Sequence, residues 1–282
     1  MVFFTTHEIE QWINEDAPLV DLTGHLLGIG AQPAVLEIKT RHDTCLALTE
    51  EAARIFEQLG CKVTQLRASG ERVTENTLIL RAEGPADALH RGWKVAMNLL
   101  EYLCGVATRT ADMVAKVEAV SKIPLLVTRK HAPGMKKTLM KAILSGGAYP
   151  HRLGLSETIL VFENHLNVVG GRDRLPELID NMKSAACEKK ITVECDTYEH
   201  AVQAAESGAD AIQFDKVPAN TLRQWTRDLK QSWPKLSVLI AGGIRPDNVQ
   251  SYAQTGIDGI VLSSIYHAKP ADLGVTIQRT KA

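Results

Sequence analysis

The chain repeatedly closes a short apolar run with charged or glycine residues, and this repetition constrains its fold more than any other feature. The closing residues are Arg129-Lys130, His151-Arg152, Glu194-Cys195-Asp196, Asp215-Lys216 and Gly242-Gly243. In an α/β barrel, reactive groups project from the C-terminal ends of the parallel strands, and the loops at that end hold the ligand. The pattern therefore predicts a barrel with a polar site at one rim.

Strand and helix signals alternate beyond residue 124. The apolar strand candidates are residues 125–128, 159–162, 191–194, 211–214, 237–241 and 259–262. Such alternation predicts a parallel sheet with right-handed crossovers, although six strands are two fewer than a complete barrel has. The fold class that we predict is α/β: an incomplete, six-stranded TIM-like α/β barrel.

The first part of the chain lacks this regular alternation. Residues 1–90 mix strand and helix signals, which predicts an N-terminal α+β sandwich domain. Residues 85–120 carry a broad apolar helical face, which we expect Gly105 to divide into two helices. The predicted domains are residues 1–106, the sandwich with its linking helix, and residues 107–282, the barrel, whose extreme C-terminus could return to the first domain.

Composition excludes several classes of partner. The net charge of -1 gives no reason to expect binding to nucleic acid or to an anionic membrane. No apolar stretch approaches the ~18 residues of a membrane span, and the N-terminus lacks a signal peptide. The five cysteines are widely spaced without a C-x-x-C pair, which is typical of reduced thiols in a cytoplasmic protein.

Two carboxylates follow consecutive strands of the predicted barrel. Strand alternation turns Thr192, Glu194 and Asp196 to one face, and Gln213 and Asp215 to the same kind of face on the next strand. Oxygen ligands of this kind suit Mg²⁺, so Glu194 and Asp215 are the candidate metal ligands. Each acid alone could equally form a structural ion pair or cap a helix.

Cations gather after the first predicted barrel strand and before the second. Arg129, Lys130, His151 and Arg152 suit phosphate or carboxylate oxygens, and arginine can make bidentate contacts with them. We interpret the neighbouring Lys136, Lys137 and Lys141 as a solvated helix face instead.

Small residues follow the last two predicted strands. Gly242-Gly243 let the backbone approach a phosphate, and Ser263-Ser264 follow the final strand. The last two loops of a barrel commonly form a phosphate site, so we expect a phosphate group to bind here.

These ordered motifs resemble the type II phosphoribosyltransferases of the quinolinate phosphoribosyltransferase (nicotinate-nucleotide pyrophosphorylase) family. The resemblance covers most of the chain, is strongest over residues 98–267, and is closest to the ModD branch, the pyrophosphorylases of molybdenum-transport operons. The residues that carry it are Thr128-Arg129-Lys130, Pro133-Gly134, Gly146-Gly147, His151-Arg152-Leu153-Gly154-Leu155, Asn164-His165, Val193-Glu194, Asp215 and Gly242-Gly243-Ile244.

The resemblance implies an N-terminal sandwich, an incomplete barrel, and a homodimer whose active sites take residues from both subunits. It also implies Mg²⁺ as cofactor, 5-phosphoribosyl 1-pyrophosphate (PRPP) as donor, and transfer of the phosphoribosyl group to a nitrogen of a small acceptor. The candidate catalytic residues are Lys130, Glu194 and Asp215, and the candidate substrate-binding residues are Lys94, Arg129, His151, Arg152, Phe162, Gly242, Gly243, Ser263 and Ser264.

The chain departs from this family at two positions. The quinolinate enzymes carry an arginine in the helix before the barrel, reached from the partner subunit, where this chain has Lys94. They carry a lysine before the Asn-His of the second strand, where this chain has Phe162. Lysine cannot reproduce the bidentate arginine contact, and phenylalanine supplies no charge. The departures predict an acceptor other than quinolinate, less acidic or differently shaped.

Two other functions remain compatible with the residues. Lys130 or Lys216 could form a Schiff base with a carbonyl substrate, a different barrel chemistry. Alternatively, the barrel could be a non-catalytic accessory protein that binds an oxyanion such as molybdate, or a nucleotide, because barrels host many functions.

Overall fold

The computed structural model describes residues 2–280. The helices are α1 (Thr6–Asp16), α2 (Leu22–Leu26), α3 (Thr49–Gln58), α4 (Ala86–Glu118), α5 (Lys136–Ser145), α6 (Glu163–Val169), α7 (Leu175–Ala185), α8 (Tyr198–Glu206), α9 (Ala219–Ser232) and α10 (Val249–Ala253), with short 3₁₀ helices at Arg172–Arg174 and Ser264–His267. The strands are β1 (Pro33–Thr40), β2 (Thr44–Cys45), β3 (Lys62–Leu66), β4 (Arg72–Val73), β5 (Leu78–Pro85), β6 (Leu125–Val127), β7 (Tyr149–Pro150), β8 (Ile159–Val161), β9 (Ile191–Cys195), β10 (Ala211–Asp215), β11 (Ser237–Ala241), β12 (Gly259–Leu262) and β13 (Leu273–Arg279).

Contacts divide the chain into two compact units. The first contains residues 2–112, 132–147 and 265–280, and the second contains residues 113–131 and 148–264. The first unit therefore includes helix α5 and the C-terminal strand β13, which follow residue 106 in the sequence. The domain boundary expected after residue 106 falls inside the continuous helix α4.

The first unit contains the predicted N-terminal sheet. Its four strands are antiparallel in the order β13-β1-β5-β3, and helix α3 packs on β3 and β5. Strand β1 alternates between the two faces of the sheet, with Leu36 and Ile38 fully buried and Lys39 exposed. Helix α1 begins at a capping box, because the Thr5 hydroxyl accepts from the Glu8 amide while the Glu8 carboxylate accepts from the Thr5 amide.

Helix α4 is one continuous helix, so the prediction that Gly105 divides it is wrong. A Cβ at Gly105 would lie 2.3 Å from the Lys269 carbonyl oxygen, and this glycine therefore permits the close approach of residues 269–271. The 33 residues of α4 make it long enough to span a bilayer, but polar residues interrupt it. Neither α4 nor another helix within residues 2–280 has the combination of length and apolarity that a membrane span requires.

The expectation of a solvated lysine face is wrong for Lys141. Lys136 is exposed, and Lys137 is half-buried, paired with Glu8 and 4.7 Å from the centre of the Phe4 ring. Lys141 is only 8% exposed, and its ammonium lies 2.8 Å from Glu50 Oε2 and 2.5 Å from Glu51 Oε2. The face of α5 that carries Lys141 is therefore part of the first unit's interior.

The second unit is built on a parallel sheet of seven strands, in the order β7-β6-β12-β11-β10-β9-β8. All six predicted strands are present, but the count of six is wrong because β7 was missed. Strand β7 has two residues, Tyr149 and Pro150, which pair with Leu126 and Val127 of β6. Two residues are too few to be predicted as a strand, although the His151-Arg152 pair that follows was recognised, and proline is tolerated there because β7 lies at the edge of the sheet.

The parallel sheet is open but curls toward closure. Strands β7 and β8 are its two edges, and they do not pair with each other within residues 2–280. Even so, the guanidinium of Arg152, just after β7, lies 5.8 Å from the centre of the Phe162 ring, just after β8. The residues that follow the two edge strands therefore approach each other through a cation–π contact.

Two helix-to-strand turns of this unit have the same construction. Gly208 and Gly256 adopt left-handed φ values of 92° and 88°, which end helices α8 and α10. Asp210 and Asp258 then accept backbone amide hydrogen bonds of 2.8 and 2.7 Å from strands β9 and β11. This repeat aligns neighbouring strands, so it stabilises the sheet.

Candidate active site

The carboxyl ends of the seven parallel strands bring the candidate site residues of this unit to one rim. In order across the sheet they are His151-Arg152 after β7, Arg129-Lys130 after β6, Ser263-Ser264 after β12, Gly242-Gly243 after β11, Asp215 at the end of β10, Glu194 on β9 and Phe162 after β8. Residues distant in sequence become neighbours here because consecutive parallel strands end on the same side.

Glu194 is held by a neighbour on the next strand. Glu194 lies opposite Gln213 in the register of β9 and β10, and Gln213 Nε2 donates to Glu194 Oε2 at 3.0 Å. Burial raises the pKa of Glu194, the Gln213 hydrogen bond lowers it, and the charge of Asp215 raises it further, leaving the pKa above its usual value. The two candidate carboxylates are therefore electrostatically coupled.

Asp215 is paired with the residue that follows it. The Lys216 ammonium lies 3.0 Å from Asp215 Oδ2, while the Lys216 amide donates to the Ala241 carbonyl oxygen at 2.8 Å. Gly242 packs against both side chains: a Cβ there would lie 2.5 Å from Asp215 Oδ1 and 2.6 Å from Lys216 Cγ. Glycine at position 242 thus makes room for the Asp215–Lys216 pair as well as for a ligand.

The basic side chains at the opposite part of the rim disfavour one another's charged forms. Burial lowers the pKa of His151, and the adjacent Arg152 lowers it further. Burial also lowers the pKa of Arg152, as does the charge of Arg129. Within residues 2–280, none of these three side chains forms a salt bridge with a carboxylate. Crowded cations without anionic partners provide a favourable site for an anionic ligand.

Lys130 links the cations to the carboxylates. Its side chain is exposed, and its amide donates to Thr128 Oγ1 at 3.3 Å, which shapes the turn after β6. The positive charge of Lys130 lowers the pKa of Glu194, although burial of Glu194 outweighs this effect. Lys130 and Glu194 thus interact electrostatically across the rim.

Phe162 provides an apolar surface between charged residues. Its amide donates to His165 Nδ1 at 3.0 Å, which satisfies one of the free amides at the start of helix α6. The His165 ring stacks on the Phe162 ring with centroids 5.7 Å apart, and the Arg152 guanidinium lies over Phe162. Phe162 thus contributes an aromatic surface with a cation close to it at this end of the rim.

The glycine and serine loops lie side by side, because β11 and β12 are paired. Gly242 and Gly243 have left-handed φ values of 81° and 71°, and Asn248 Nδ2 donates to the Gly243 carbonyl oxygen at 3.0 Å. Ser264 Oγ donates to the Ile244 carbonyl oxygen at 3.1 Å, which connects the two loops, and Ser263 is half-buried beside it. Backbone amides of such a loop can bind phosphate.

Comparisons with known proteins identify the family. The family model described as "Quinolinate phosphoribosyl transferase, N-terminal domain" matches residues 21–104, and that of the C-terminal domain matches residues 106–276. A Pasteurella multocida protein named "Putative pyrophosphorylase ModD" is 34% identical over 280 residues, covering 99% of each chain. The chain belongs to the quinolinate phosphoribosyltransferase family.

Other relatives agree with this assignment. The nicotinate-nucleotide pyrophosphorylase (carboxylating) of Rattus norvegicus is 31% identical, covering 92% of this chain and 86% of its own. The structure of the nicotinate-nucleotide pyrophosphorylase from Francisella tularensis superimposes with a TM-score of 0.88 at 25% identity, covering 97% of this chain and 95% of its own. Members of the quinolinate phosphoribosyltransferase family are PRPP-dependent enzymes that release pyrophosphate.

Lys94 lies outside the unit that holds the rim. It belongs to helix α4 in the first unit, where its side chain is exposed and its ammonium lies 5.6 Å from the centre of the Trp93 ring. Its proposed role across a dimer therefore stays a prediction.

Glu194 and Asp215 alone provide too few ligands for a divalent cation, so the remaining ligands must be waters or substrate oxygens. Within residues 2–280 no group of three or more histidine, cysteine or acidic side chains is arranged for a metal. The buried Gln213 Oε1, which lacks a hydrogen-bond partner in this part of the chain, adds an oxygen beside Glu194. Mg²⁺ commonly uses one or two carboxylates together with waters and substrate phosphates, so the donor set fits a metal that arrives with a phosphorylated substrate.

The structure argues against covalent catalysis by two nearby residues. Burial raises the pKa of the Cys195 thiol to about 12, so this cysteine is not a nucleophile at neutral pH. The hydrogen bond and charge of Asp215 raise the pKa of Lys216, whereas a Schiff-base lysine needs a lowered pKa. Lys216 therefore does not suit the alternative carbonyl chemistry.

Sequence analysis underrated three residues. Gln213 could have been recognised, since it is a polar residue inside an otherwise apolar strand. Lys216 carries no sequence signal for its left-handed φ of 56°. Arg172 was not singled out, yet its side chain is only 11% exposed and its Nη2 lies 2.6 Å from Glu163 Oε2 and donates to the Glu194 carbonyl oxygen at 3.3 Å. Arg172 thus supports the strand end that carries Glu194.

Proposed function

We propose that this chain transfers the 5-phosphoribosyl group of PRPP to a ring nitrogen of a small aromatic acceptor other than quinolinate and releases pyrophosphate. The observation that carries the proposal is the coupled pair Glu194 and Asp215, which lies on the same rim as cations that have no carboxylate partners. A donor with a ribose, a phosphate and a pyrophosphate requires this combination of anionic and cationic groups.

Each group has a role in the transfer. The bond between the anomeric carbon and the pyrophosphate oxygen breaks, and its electron pair leaves with pyrophosphate. Arg129, Lys130 and Arg152 stabilise that negative charge, and His151 helps to orient the acceptor, whose nitrogen lone pair forms the new bond. Gly242-Gly243 and Ser263-Ser264 hold the 5-phosphate through backbone amides and hydroxyls. Preorganised groups that act on developing charge each contribute roughly 3 kcal/mol to such a step.

Glu194 and Asp215 would hold Mg²⁺ against the ribose hydroxyls and the pyrophosphate, directly or through water. The metal would supply positive charge next to the leaving group. The buried Gln213 fixes the Glu194 carboxylate, and Arg172 supports the backbone at that residue. The contacts from Gln213 and Arg172 keep the Glu194 carboxylate in place before a ligand arrives.

The contacts of Phe162 favour an acceptor with less negative charge than a pyridine dicarboxylate. The Arg152 guanidinium lies over the Phe162 ring, so one cation at this position already interacts with an aromatic group. A planar ring can contact the Phe162 side chain, whereas a carboxylate placed against that ring would lose its water without gaining a charged partner from residue 162. We therefore propose an aromatic acceptor that carries at most one carboxylate.

Calorimetric titration with PRPP tests the proposed function. We expect Mg²⁺-dependent binding of PRPP to the purified protein and no detectable binding of quinolinate alone. Release of pyrophosphate on addition of a suitable acceptor would then identify that acceptor from a panel of heteroaromatic rings. Absence of PRPP binding with or without Mg²⁺ would contradict the proposal and favour an accessory protein that binds an oxyanion or a nucleotide.

The Phe162→Lys variant tests the specificity argument. We expect it to increase quinolinate affinity at least ~10-fold, because a charge-assisted contact adds roughly 1.5–3 kcal/mol. The matched control is Phe162→Leu, which removes the ring without adding charge and should not bind quinolinate more tightly. Equal quinolinate affinity in both variants, measured by calorimetry, would show that Phe162 does not determine the acceptor.

We propose that the protein is a homodimer in the cytoplasm. Five large apolar side chains are exposed within residues 19–27, and Leu22, Leu26 and Leu27 are 62%, 75% and 66% exposed, a concentration that favours burial against another subunit. The five free thiols support a reducing compartment.

Light scattering after size-exclusion chromatography should give twice the chain mass of 30.9 kDa. Leu26→Lys with Leu27→Lys should reduce the mass to that of one chain, because two buried ammonium groups oppose association. Val168→Lys, which changes an 87% exposed valine elsewhere, is the control and should remain a dimer. A dimer that survives the double substitution would exclude this surface as the interface.

A further inference from the structure

Lys216 occupies a backbone conformation that a lysine rarely adopts. Its φ of 56° lies in the left-handed region, where side chains with a Cβ are strained unless the surroundings hold them. Two contacts hold it: its amide donates to Ala241 at 2.8 Å, and its ammonium pairs with Asp215 at 3.0 Å. The strained turn thus delivers a positive charge to a candidate metal ligand.

The charges around the carboxylate pair are already balanced. Glu194 and Asp215 bring two negative charges, and Lys130 and Lys216 both act electrostatically on Glu194. Lys216 also forms the ion pair with Asp215, although its side chain remains 75% exposed and keeps donors for another partner. A divalent cation approaching Asp215 alone would meet the ammonium of Lys216, whereas a pyrophosphate oxygen would be attracted to it.

We propose that Lys216 is a built-in cation of the carboxylate pair, which opposes binding of a free divalent metal and contributes directly to binding of the pyrophosphate group. This inference rests on the proposed function, because it assumes that Glu194 and Asp215 face a pyrophosphate-bearing substrate. It assigns Lys216 a substrate-binding role at the end of β10. The metal then enters bound to the phosphorylated substrate, whose oxygens complete its ligand set.

The test measures two ligands without any turnover. Binding of Mn²⁺ alone is followed by the electron paramagnetic resonance signal of the free ion, and binding of inorganic pyrophosphate in metal-free buffer is followed by calorimetry. For Lys216→Asn, which is neutral and tolerates the left-handed conformation, we expect Mn²⁺ affinity to rise about tenfold and pyrophosphate affinity to fall about tenfold. Lys216→Arg, which retains the charge, should resemble the unchanged protein in both assays.

Three further variants locate the effect. Lys235→Asn removes one positive charge from an exposed position of the same unit and should change neither affinity. Adding Asp215→Asn to Lys216→Asn should abolish the gain in Mn²⁺ affinity, because the metal would lose the carboxylate that Lys216 had paired with, one of its two. Lys216→Gly removes the charge together with the strained side chain, so it provides a second neutral variant if Lys216→Asn folds poorly.

Opposite changes in the two affinities are the expected signature. If both neutral variants bind Mn²⁺ and pyrophosphate as the unchanged protein does, or if both affinities fall together, the proposal is overturned. Failure of the unchanged protein to bind PRPP would contradict the proposed function, yet the opposite shifts in Mn²⁺ and pyrophosphate binding would still be measurable. The two ideas can therefore fail separately.

Discussion

Replacing Glu194 by glutamine should lower turnover about 10³-fold while leaving the fold intact. The substitution preserves the shape of the side chain and removes its charge, and loss of one preorganised electrostatic group typically costs 10²–10³ in rate, or roughly 3–4 kcal/mol. Because Glu194 is only half-buried at a strand end, the sheet should tolerate the change. Pyrophosphate release under saturating PRPP and acceptor measures the effect, and thermal unfolding checks the fold.

Asp196→Asn is the matched control for this variant. Asp196 follows Glu194 by two residues, but it is 71% exposed and pairs with His200 at 2.6 Å. An exposed pair of this kind contributes about 0–1 kcal/mol, so turnover should stay within about threefold of the unchanged protein. Near-normal turnover in Glu194→Gln, or equal losses in the two variants, would remove Glu194 from the proposed mechanism.

The pH dependence of turnover should report the same residue. Burial raises the pKa of Glu194 above its usual 4.5, with a further contribution from Asp215, so the carboxylate gains its proton at a higher pH than an exposed glutamate does. Turnover should therefore decline as pH falls toward that raised pKa. Glu194→Gln should lose this acid limb, since glutamine does not titrate.

Replacing Lys141 by methionine should destabilise the first unit by about 3–5 kcal/mol. Lys141 is 8% exposed, and Glu51, one of its two partners, is 5% exposed. Removing the ammonium leaves a buried carboxylate without a counter-charge, which is the costly way to break a buried pair. The free energy of unfolding in urea, followed by tryptophan fluorescence, measures the effect.

Two comparisons separate lost charge from lost packing. Lys136→Met alters an exposed lysine of the same helix and should change the free energy of unfolding by less than about 0.5 kcal/mol. Adding Glu51→Leu to Lys141→Met should recover much of the loss, because an apolar pair of similar volume can replace a buried ion pair. A loss in Lys141→Met no larger than in Lys136→Met would show that the pair is not important for stability.

Acid should weaken the same cluster. Burial raises the pKa of Glu50, but hydrogen bonds from Lys141 and Ser69 outweigh burial and lower the pKa to about 2. Since the folded pKa lies below the usual value of 4.5, this stabilisation is present above that value and is lost as pH falls toward about 2. Lys141→Met should reduce the slope of unfolding free energy against pH in this window.

Most of the rim of the second unit could be predicted from short patterns of adjacent residues. Strands β9 to β12 were predictable because each is an apolar run ended by polar or glycine residues, and parallel strands necessarily end on one side. Glu194, Asp215, Gly242 and Ser264 could therefore be assigned to the same rim from their positions alone. The two-residue strand β7 was too short to be predicted as a strand, although the His151-Arg152 pair that follows it was singled out from the sequence.

Other outcomes depended on neighbours far along the chain. Gly105 was expected to interrupt a helix by its weak helix propensity, but the close approach of Lys269 requires glycine inside a continuous one. Lys141 was expected to be solvated, but Glu50 and Glu51, about 90 residues earlier, supply the charges that allow its burial. Helical periodicity reveals neither the approach of Lys269 to Gly105 nor the carboxylates that pair with Lys141.

The sequence by itself determined the parallel strands of the second unit and the chemical character of its rim, because strand period and strand-end position depend on residues that are adjacent in the chain. Tertiary structure alone decided which charges meet. It brought Arg152 and Phe162, which follow the two edge strands of the sheet, into contact, buried Lys141 against two carboxylates, and turned Lys216 back onto Asp215. The physical reason is that pairing energies and pKa shifts depend on distances across the fold, which local pattern does not contain.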